Sequence, residues 1–213
     1  MDNIGFLFDL DGVLIDSESE YTRIWSEIDT AFPSGKADFP HLIKGQTLHK
    51  ILSDNYPEEI RKDVERLLHD LEGKMHYVYC PYAEEFLDQL NAEGERIAVV
   101  TSSDSVKMSH LFHDIPGFKD KVSVIVDAGM VVKSKPDPEG YITGASLLDC
   151  DIRKCVVFED SVQGVTAGKA SGAFVVGIAG TKSPEELAPF SDIIVHSLAE
   201  IDLPWLKDTV RKR

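Results

Sequence analysis

Short apolar runs recur along the chain at 4–8, 97–100, 122–126, 156–158, 174–178 and 193–195, and most are apolar at consecutive positions. Consecutive apolar residues suit a strand covered on both faces, as in a parallel sheet. Between the later runs the period becomes helical. The segment 82–92 puts Ala83, Phe86, Leu87 and Leu90 on one face and stops at Gly94, a residue suited to end a helix. Asp137 and Pro138 read as the N-cap and first residue of a helix carrying Tyr141, Ile142, Ala145 and Leu148. Ser161 can cap another, ended by Gly172. Strand alternating with helix predicts an α/β fold with a doubly wound parallel sheet, Rossmann-like in its layering.

The stretch 17–79 breaks this rhythm. It holds no strand-like run, and its strongest period is helical, through Ile60, Val64, Leu67, Leu68, Leu71 and Met75. A segment of roughly 60 residues is too long for a simple crossover. The expected organisation is therefore a core of 1–16 and 80–213 with a small all-helical insertion at 17–79. The links near 12–16 and 79–82 are the expected hinges.

Composition alters the picture mainly through charge. A hydrophobic share of 43% with 28% charged residues is ordinary globular composition, but 22 Lys+Arg against 37 Asp+Glu leave a net charge of −15. Such a field repels nucleic acid and anionic membrane surfaces, so neither is expected as a partner. A small anion can still be admitted where a metal ion and one placed lysine reverse the local sign. Cys80, Cys150 and Cys155 are odd in number and lack C-x-x-C spacing, so buried, reduced thiols in a cytoplasmic protein are expected. The N-terminus has no signal-peptide pattern and no apolar run reaches about 18 residues. A monomer is the expected state.

Candidate chemistry gathers where the runs end. Phe8-Asp9-Leu10-Asp11-Gly12-Val13 closes the first run with two carboxylates at i, i+2. One can hold a divalent cation and act as a nucleophile while the other moves a proton, although Asp-Gly is also a common turn pair. Thr101, Ser102 and Ser103 follow the second run, where hydroxyls and free N–H groups at a helix start can cradle a phosphate or simply cap the helix. Lys135, followed by Pro136, could neutralise a phosphoryl oxygen or be an ordinary surface lysine. Glu159 and Asp160 end the fourth run and could complete a hard-metal site or complement the dipole of the next helix.

In chain order these segments resemble the four motifs of the haloacid dehalogenase superfamily of aspartate-nucleophile phosphotransferases, in its β-phosphoglucomutase-like branch with a helical cap. The stretch from Phe8 to Ser17 is similar to the first motif, Thr101 to the second, Lys135-Pro136 to the third, and Glu159-Asp160-Ser161 with Gly164 to the fourth. The resemblance implies Mg²⁺ as cofactor, a small phosphorylated metabolite as substrate, and an aspartyl-phosphate on Asp9. Asp9, the Asp11 carbonyl and Asp160 would be the metal ligands, with Glu159 in the water shell or ligating. Asp11 would be the acid and base, while Thr101, the Ser102 N–H and Lys135 would hold phosphoryl oxygens. Substrate choice would fall to the cap near Gly45, Gln46 and Thr47.

A phosphatase is the expected activity and a β-phosphoglucomutase-type phosphomutase the alternative. Three cationic positions of those mutases align with Tyr21, Leu48 and Asp104 here, which disfavours a second phosphate. A receiver-like signalling module is a more distant reading, since receivers lack a helical insertion after the first strand.

Overall fold

The computed structural model describes residues 4–43 and 48–213, the side chains of His49 and Lys50 apart. β1 (Gly5–Phe8), β2 (Arg96–Val100), β3 (Val124–Val126), β4 (Cys155–Glu159), β5 (Phe174–Ile178) and β6 (Ile193–Val195) form one six-stranded sheet in the order β3-β2-β1-β4-β5-β6. Every pairing in it is parallel. Each expected apolar run supplies one strand. The first starts one residue late, at Gly5, and the third two residues late, after a 3-10 turn at Phe118–Lys121.

The consecutive apolar pattern has the expected cause. Phe6 and Phe8 lie on one face of the sheet, where Phe8 stacks on Phe158 with ring centroids 4.4 Å apart and meets Phe86 edge-on. Leu7, Ala98, Val100 and Val157 belong to the core on the other face, packed with Tyr141, Ala145 and Val165. Both faces of the central strands are covered, which is why their apolar residues run consecutively.

The helices are α1 (Glu18–Ala31), α2 (Phe39–Leu42), α3 (Leu48–Asn55), α4 (Glu58–Glu72), α5 (Ala83–Ala92), α6 (Ser105–Asp114), α7 (Glu139–Leu147), α8 (Val162–Ser171), α9 (Pro184–Leu187) and α10 (Leu203–Arg211). None is long and apolar enough to cross a membrane among the described residues. The Ser161 hydroxyl caps α8 by accepting from Gly164 N–H at 3.0 Å, and Gly172 ends that helix at φ +91°. α7 starts one residue later than expected. Pro138 sits at the N-cap, and the Asp137 carboxylate accepts from Glu139 N–H at 3.1 Å.

The chain divides into two compact units, Met1–Asp16 with Tyr77–Arg213, and Ser17–His76. Tyr77, Val78 and Tyr79, expected in the helical segment, fall in the first unit. Asp16 N–H donates to the Val78 carbonyl, Cys80 N–H to the Leu14 carbonyl, and Ile15 bridges to Tyr79. In the second unit α4 stops at Glu72, so Met75 is buried beyond the helix it was expected to extend.

The cysteines are free, but only Cys155 is fully buried; Cys80 and Cys150 are half-buried. Burial pushes the thiols of Cys80 and Cys155 up to about 12, which makes them poor nucleophiles.

Candidate active site

The strand order places a topological switch between β1 and β4. The chain passes from β1 outward to β2 and β3, then returns beyond β1 to begin β4. Outside the carboxyl ends of such a pair the connections diverge and leave a crevice. Asp9 follows β1 directly, its N–H donating to the Phe158 carbonyl at 3.0 Å, while Glu159 ends β4 and Asp160 follows it. The sheet hydrogen bonds therefore fix three carboxylates at one spot, and one oxygen of each lies within 4.8 Å of the others.

Two glycines make this approach possible. Gly12 turns the chain after Asp11 at φ +80°, and a Cβ on it would lie 2.0 Å from Asp160 Oδ2. A Cβ on Gly164 would lie 1.8 Å from the Glu159 carboxylate. No side chain fits at either position.

Lys135 ties the cluster together. Its Nζ donates to Asp9 Oδ1 at 2.5 Å, to Glu159 Oε1 at 2.6 Å and to the Val100 carbonyl at 3.0 Å. Burial opposes the lysine charge, but Asp9 and Glu159 outweigh it and hold the ammonium above its ordinary range. Glu159 is fully buried and answered on both oxygens. Oε1 also accepts from the Tyr141 hydroxyl at 2.7 Å, and Oε2 from the Ser161 N–H at 3.2 Å and hydroxyl at 3.0 Å. A single ammonium cannot balance three buried carboxylates. Burial accordingly raises the Asp9 carboxyl well above its ordinary value, with Lys135 opposing and Glu159 adding to the rise. Burial and Glu159 raise Asp160 to about 7, against a hydrogen bond from Thr181. Hard, buried oxygens with unbalanced negative charge fit a small divalent cation such as Mg²⁺.

Asp11 stands on the next turn. The Ser103 hydroxyl donates to its Oδ2 at 3.0 Å and Lys107 Nζ to its Oδ1 at 2.7 Å. Thr101 is buried, and its Oγ1 accepts from Ser103 N–H at 3.0 Å, which leaves the hydroxyl proton to donate. Ser102 is exposed beside it.

The first unit thus assembles Asp9, Asp11, Thr101, Ser103, Glu159 and Asp160 from the ends of β1, β2 and β4, and Lys135 from the connection after β3. Gly45, Gln46 and Thr47 lie outside the described residues. Sequence reasoning missed Lys107, Thr181 and the role of Tyr141, which reads as an apolar helix position and does occupy one, its hydroxyl bonded to Glu159 and its ring beneath the Lys135 ammonium. The charge expected from Asp104 is also corrected. Its carboxylate caps α6 by accepting from Lys107 N–H at 2.9 Å, and the Lys107 ammonium returns a positive charge to the site. A lysine three residues past an N-cap lies in the first helical turn, and that spacing was the available signal.

The helical unit has a cavity of its own, about 310 Å³, among α1, α3 and α4. Glu18, Tyr21, Thr22, Trp25, His69 and Glu72 supply its polar and aromatic lining, and Leu48 stands among the aliphatic residues. The Tyr21 hydroxyl donates to Glu72 Oε1 at 3.0 Å.

Comparison with known proteins agrees with this geometry. The haloacid dehalogenase-like hydrolase family matches residues 5–172. Hexitol phosphatase A of Escherichia coli is 32% identical over 205 residues, covering 92% of each chain. β-Phosphoglucomutase of Bacillus subtilis is 28% identical over 95% of this chain and 93% of its own. A crystal structure of a HAD family hydrolase from Deinococcus radiodurans, with bound phosphate and sodium, superposes with a TM-score of 0.80 at 24% identity, covering 99% of this chain and 97% of that one.

Proposed function

Because the chain belongs to the haloacid dehalogenase-like hydrolases, we propose that it is a Mg²⁺-dependent phosphatase acting on a small phosphorylated sugar or polyol through an aspartyl-phosphate on Asp9. The observation that carries this reading is the buried cluster of Asp9, Glu159 and Asp160 closed by Lys135 at the carboxyl ends of β1 and β4. Asp9 and Asp160, with the Asp11 carbonyl, would hold the cation. When bound, it supplies positive charge that offsets repulsion between a phosphate dianion and the Asp9 carboxylate.

The chain's own residues do the rest. An Asp9 oxygen attacks phosphorus, and the bond from phosphorus to the ester oxygen breaks. Asp11 gives a proton to the departing oxygen, then takes one from the water that hydrolyses the aspartyl-phosphate, which releases inorganic phosphate and restores Asp9. Thr101, the Ser102 N–H and Lys135 hold the phosphoryl oxygens, and they act most strongly on charge that builds in the transition state. Glu159 is bonded to Lys135, Tyr141 and Ser161, so we assign it the placing of Lys135.

Hydrolysis is favoured over phosphomutase chemistry because Lys107, the cation recovered near the site, is engaged with Asp11, and Tyr21 and Leu48 bring no positive charge. The test is a screen of sugar, polyol and nucleotide phosphates and pyrophosphate with Mg²⁺, using Asp9→Asn as the blank. Incubation with β-glucose 1-phosphate and a trace of glucose 1,6-bisphosphate then separates the two activities. Glucose 6-phosphate appearing much faster than free phosphate would restore the mutase.

A further inference from the structure

Asp11 has a short side chain on an irregular turn, and two groups from the chain after β2 hold its carboxylate. Asp104 anchors the first turn of α6 through Lys107 N–H, and from that turn the Lys107 side chain reaches Asp11 Oδ1 at 2.7 Å. Ser103 takes the other oxygen at 3.0 Å. Each carboxylate oxygen therefore has its own donor, and one donor is charged. The lysine side chain is 19% exposed and the aspartate 33%, so the pair is sheltered without being sealed.

We propose that Lys107 is a positioning residue that holds Asp11 in the orientation its proton transfer requires. The proposal rests on the reading of Asp11 as acid and base. A proton donor must come within hydrogen-bond reach of the departing oxygen, and a displacement of about 1 Å can cost on the order of 100-fold in rate. A partly exposed ion pair adds little to stability, so loss of Lys107 is expected in the kinetics and not in the melting temperature.

The experiment compares Lys107→Met, Lys107→Arg and Asp11→Asn on 4-nitrophenyl phosphate and phenyl phosphate, esters of nearly the same shape whose leaving groups differ in their need for a proton. Lys107→Met should lower kcat for phenyl phosphate by about 10–100-fold, and for the nitrophenyl ester by far less. Lys107→Arg should recover most of the loss. The ratio of the two kcat values does not depend on the fraction of folded enzyme. Equal losses on both esters, or an unchanged ratio beside an Asp11→Asn ratio that shifts strongly, would overturn the assignment of Lys107. If Asp11→Asn itself lost equally on both esters, the acid role would fail and the proposal with it, and the Asp11 variant alone would reveal that failure.

Discussion

The sheet-top site and the cavity of the helical unit place polar groups in contrasting ways. At the sheet, each acidic group stands at or just beyond a strand end, where the ladder sets the direction of the backbone. Its groups are densely bonded: Lys135 meets three acceptors and Glu159 four donors. In the helical unit the lining comes from helix faces. Glu18, Tyr21, Thr22 and Trp25 follow one another at i, i+3, i+4 and i+7 along α1, interleaved with aliphatic neighbours from other helices. Phosphoryl transfer needs groups fixed to a fraction of an ångström, whereas choosing a leaving group needs a cavity of suitable shape and polarity. On the proposed function, the fixed groups of the core suit the first task and the mixed lining of the cavity the second.

The largest effect should follow removal of Asp9, the proposed nucleophile. Asp9→Asn is expected to abolish both turnover and covalent phosphoenzyme, measured by acid-stable labelling with radioactive phosphate ester. Chelation with EDTA should do the same, and Mg²⁺ should restore activity. Ca²⁺ should inhibit, because its larger and looser shell draws carboxylates away from the line of attack. Full turnover in excess EDTA would break the division at its root.

A second variant tests how tightly the core is packed. Gly164→Ala would put a methyl group 1.8 Å from the Glu159 carboxylate, which is fully buried and cannot swing aside without leaving Lys135 and Tyr141. A loss of about 1–3 kcal/mol in urea unfolding is expected, with reduced activity at saturating Mg²⁺. Wild-type stability in this variant would mean that Glu159 is more loosely held than its hydrogen bonds indicate.

The same contrast explains what was legible in the sequence. All of the strands could be read because a strand buried on two faces has a pattern that few other elements share. Asp9, Asp11, Thr101 and Asp160 could be read because strand ends are few and these residues stand at or just beyond them, and Lys135 because Pro136 follows it in the resemblance to the third motif. Lys107 and Thr181 could not, since each reaches the site from a loop or helix by the length of its own side chain. The lining of the cap cavity was nearly silent. A helix face mixing Glu, Thr, Tyr and Trp reads equally well as packing or as solvated surface. Only Tyr21 and Leu48 drew attention, through their departure from the family pattern.

A smaller effect concerns pH. In the folded, metal-free protein Asp160 is raised from 3.8 to about 7. Between those values the folded state binds more protons than the unfolded chain, so this group's contribution to stability falls as pH rises through that window. A cation competes with the proton for the same oxygens, and Mg²⁺ should therefore raise the melting temperature more at pH 8 than at pH 5. Asp160→Asn should flatten that difference. A Mg²⁺ effect independent of pH, or unchanged in the variant, would remove Asp160 from the ligand set.

The smallest effect is expected in the helical unit. Tyr21→Phe deletes the hydroxyl that donates to Glu72 and keeps the ring that fills the cavity wall. A hydrogen bond of this kind contributes about 0.5–1.5 kcal/mol net. Glu72 is only half-buried, so water can take the place of the lost donor and the melting temperature should move little. If the cavity selects the leaving group, KM for the preferred sugar phosphate should change by up to about tenfold, the equivalent of roughly 1.4 kcal/mol. Turnover of 4-nitrophenyl phosphate, which has no hydroxyls to recognise, should stay near wild type. An equal fall in kcat on both esters would instead assign Tyr21 to the chemistry, and the separation between a fixed catalytic core and a selecting cavity would no longer hold.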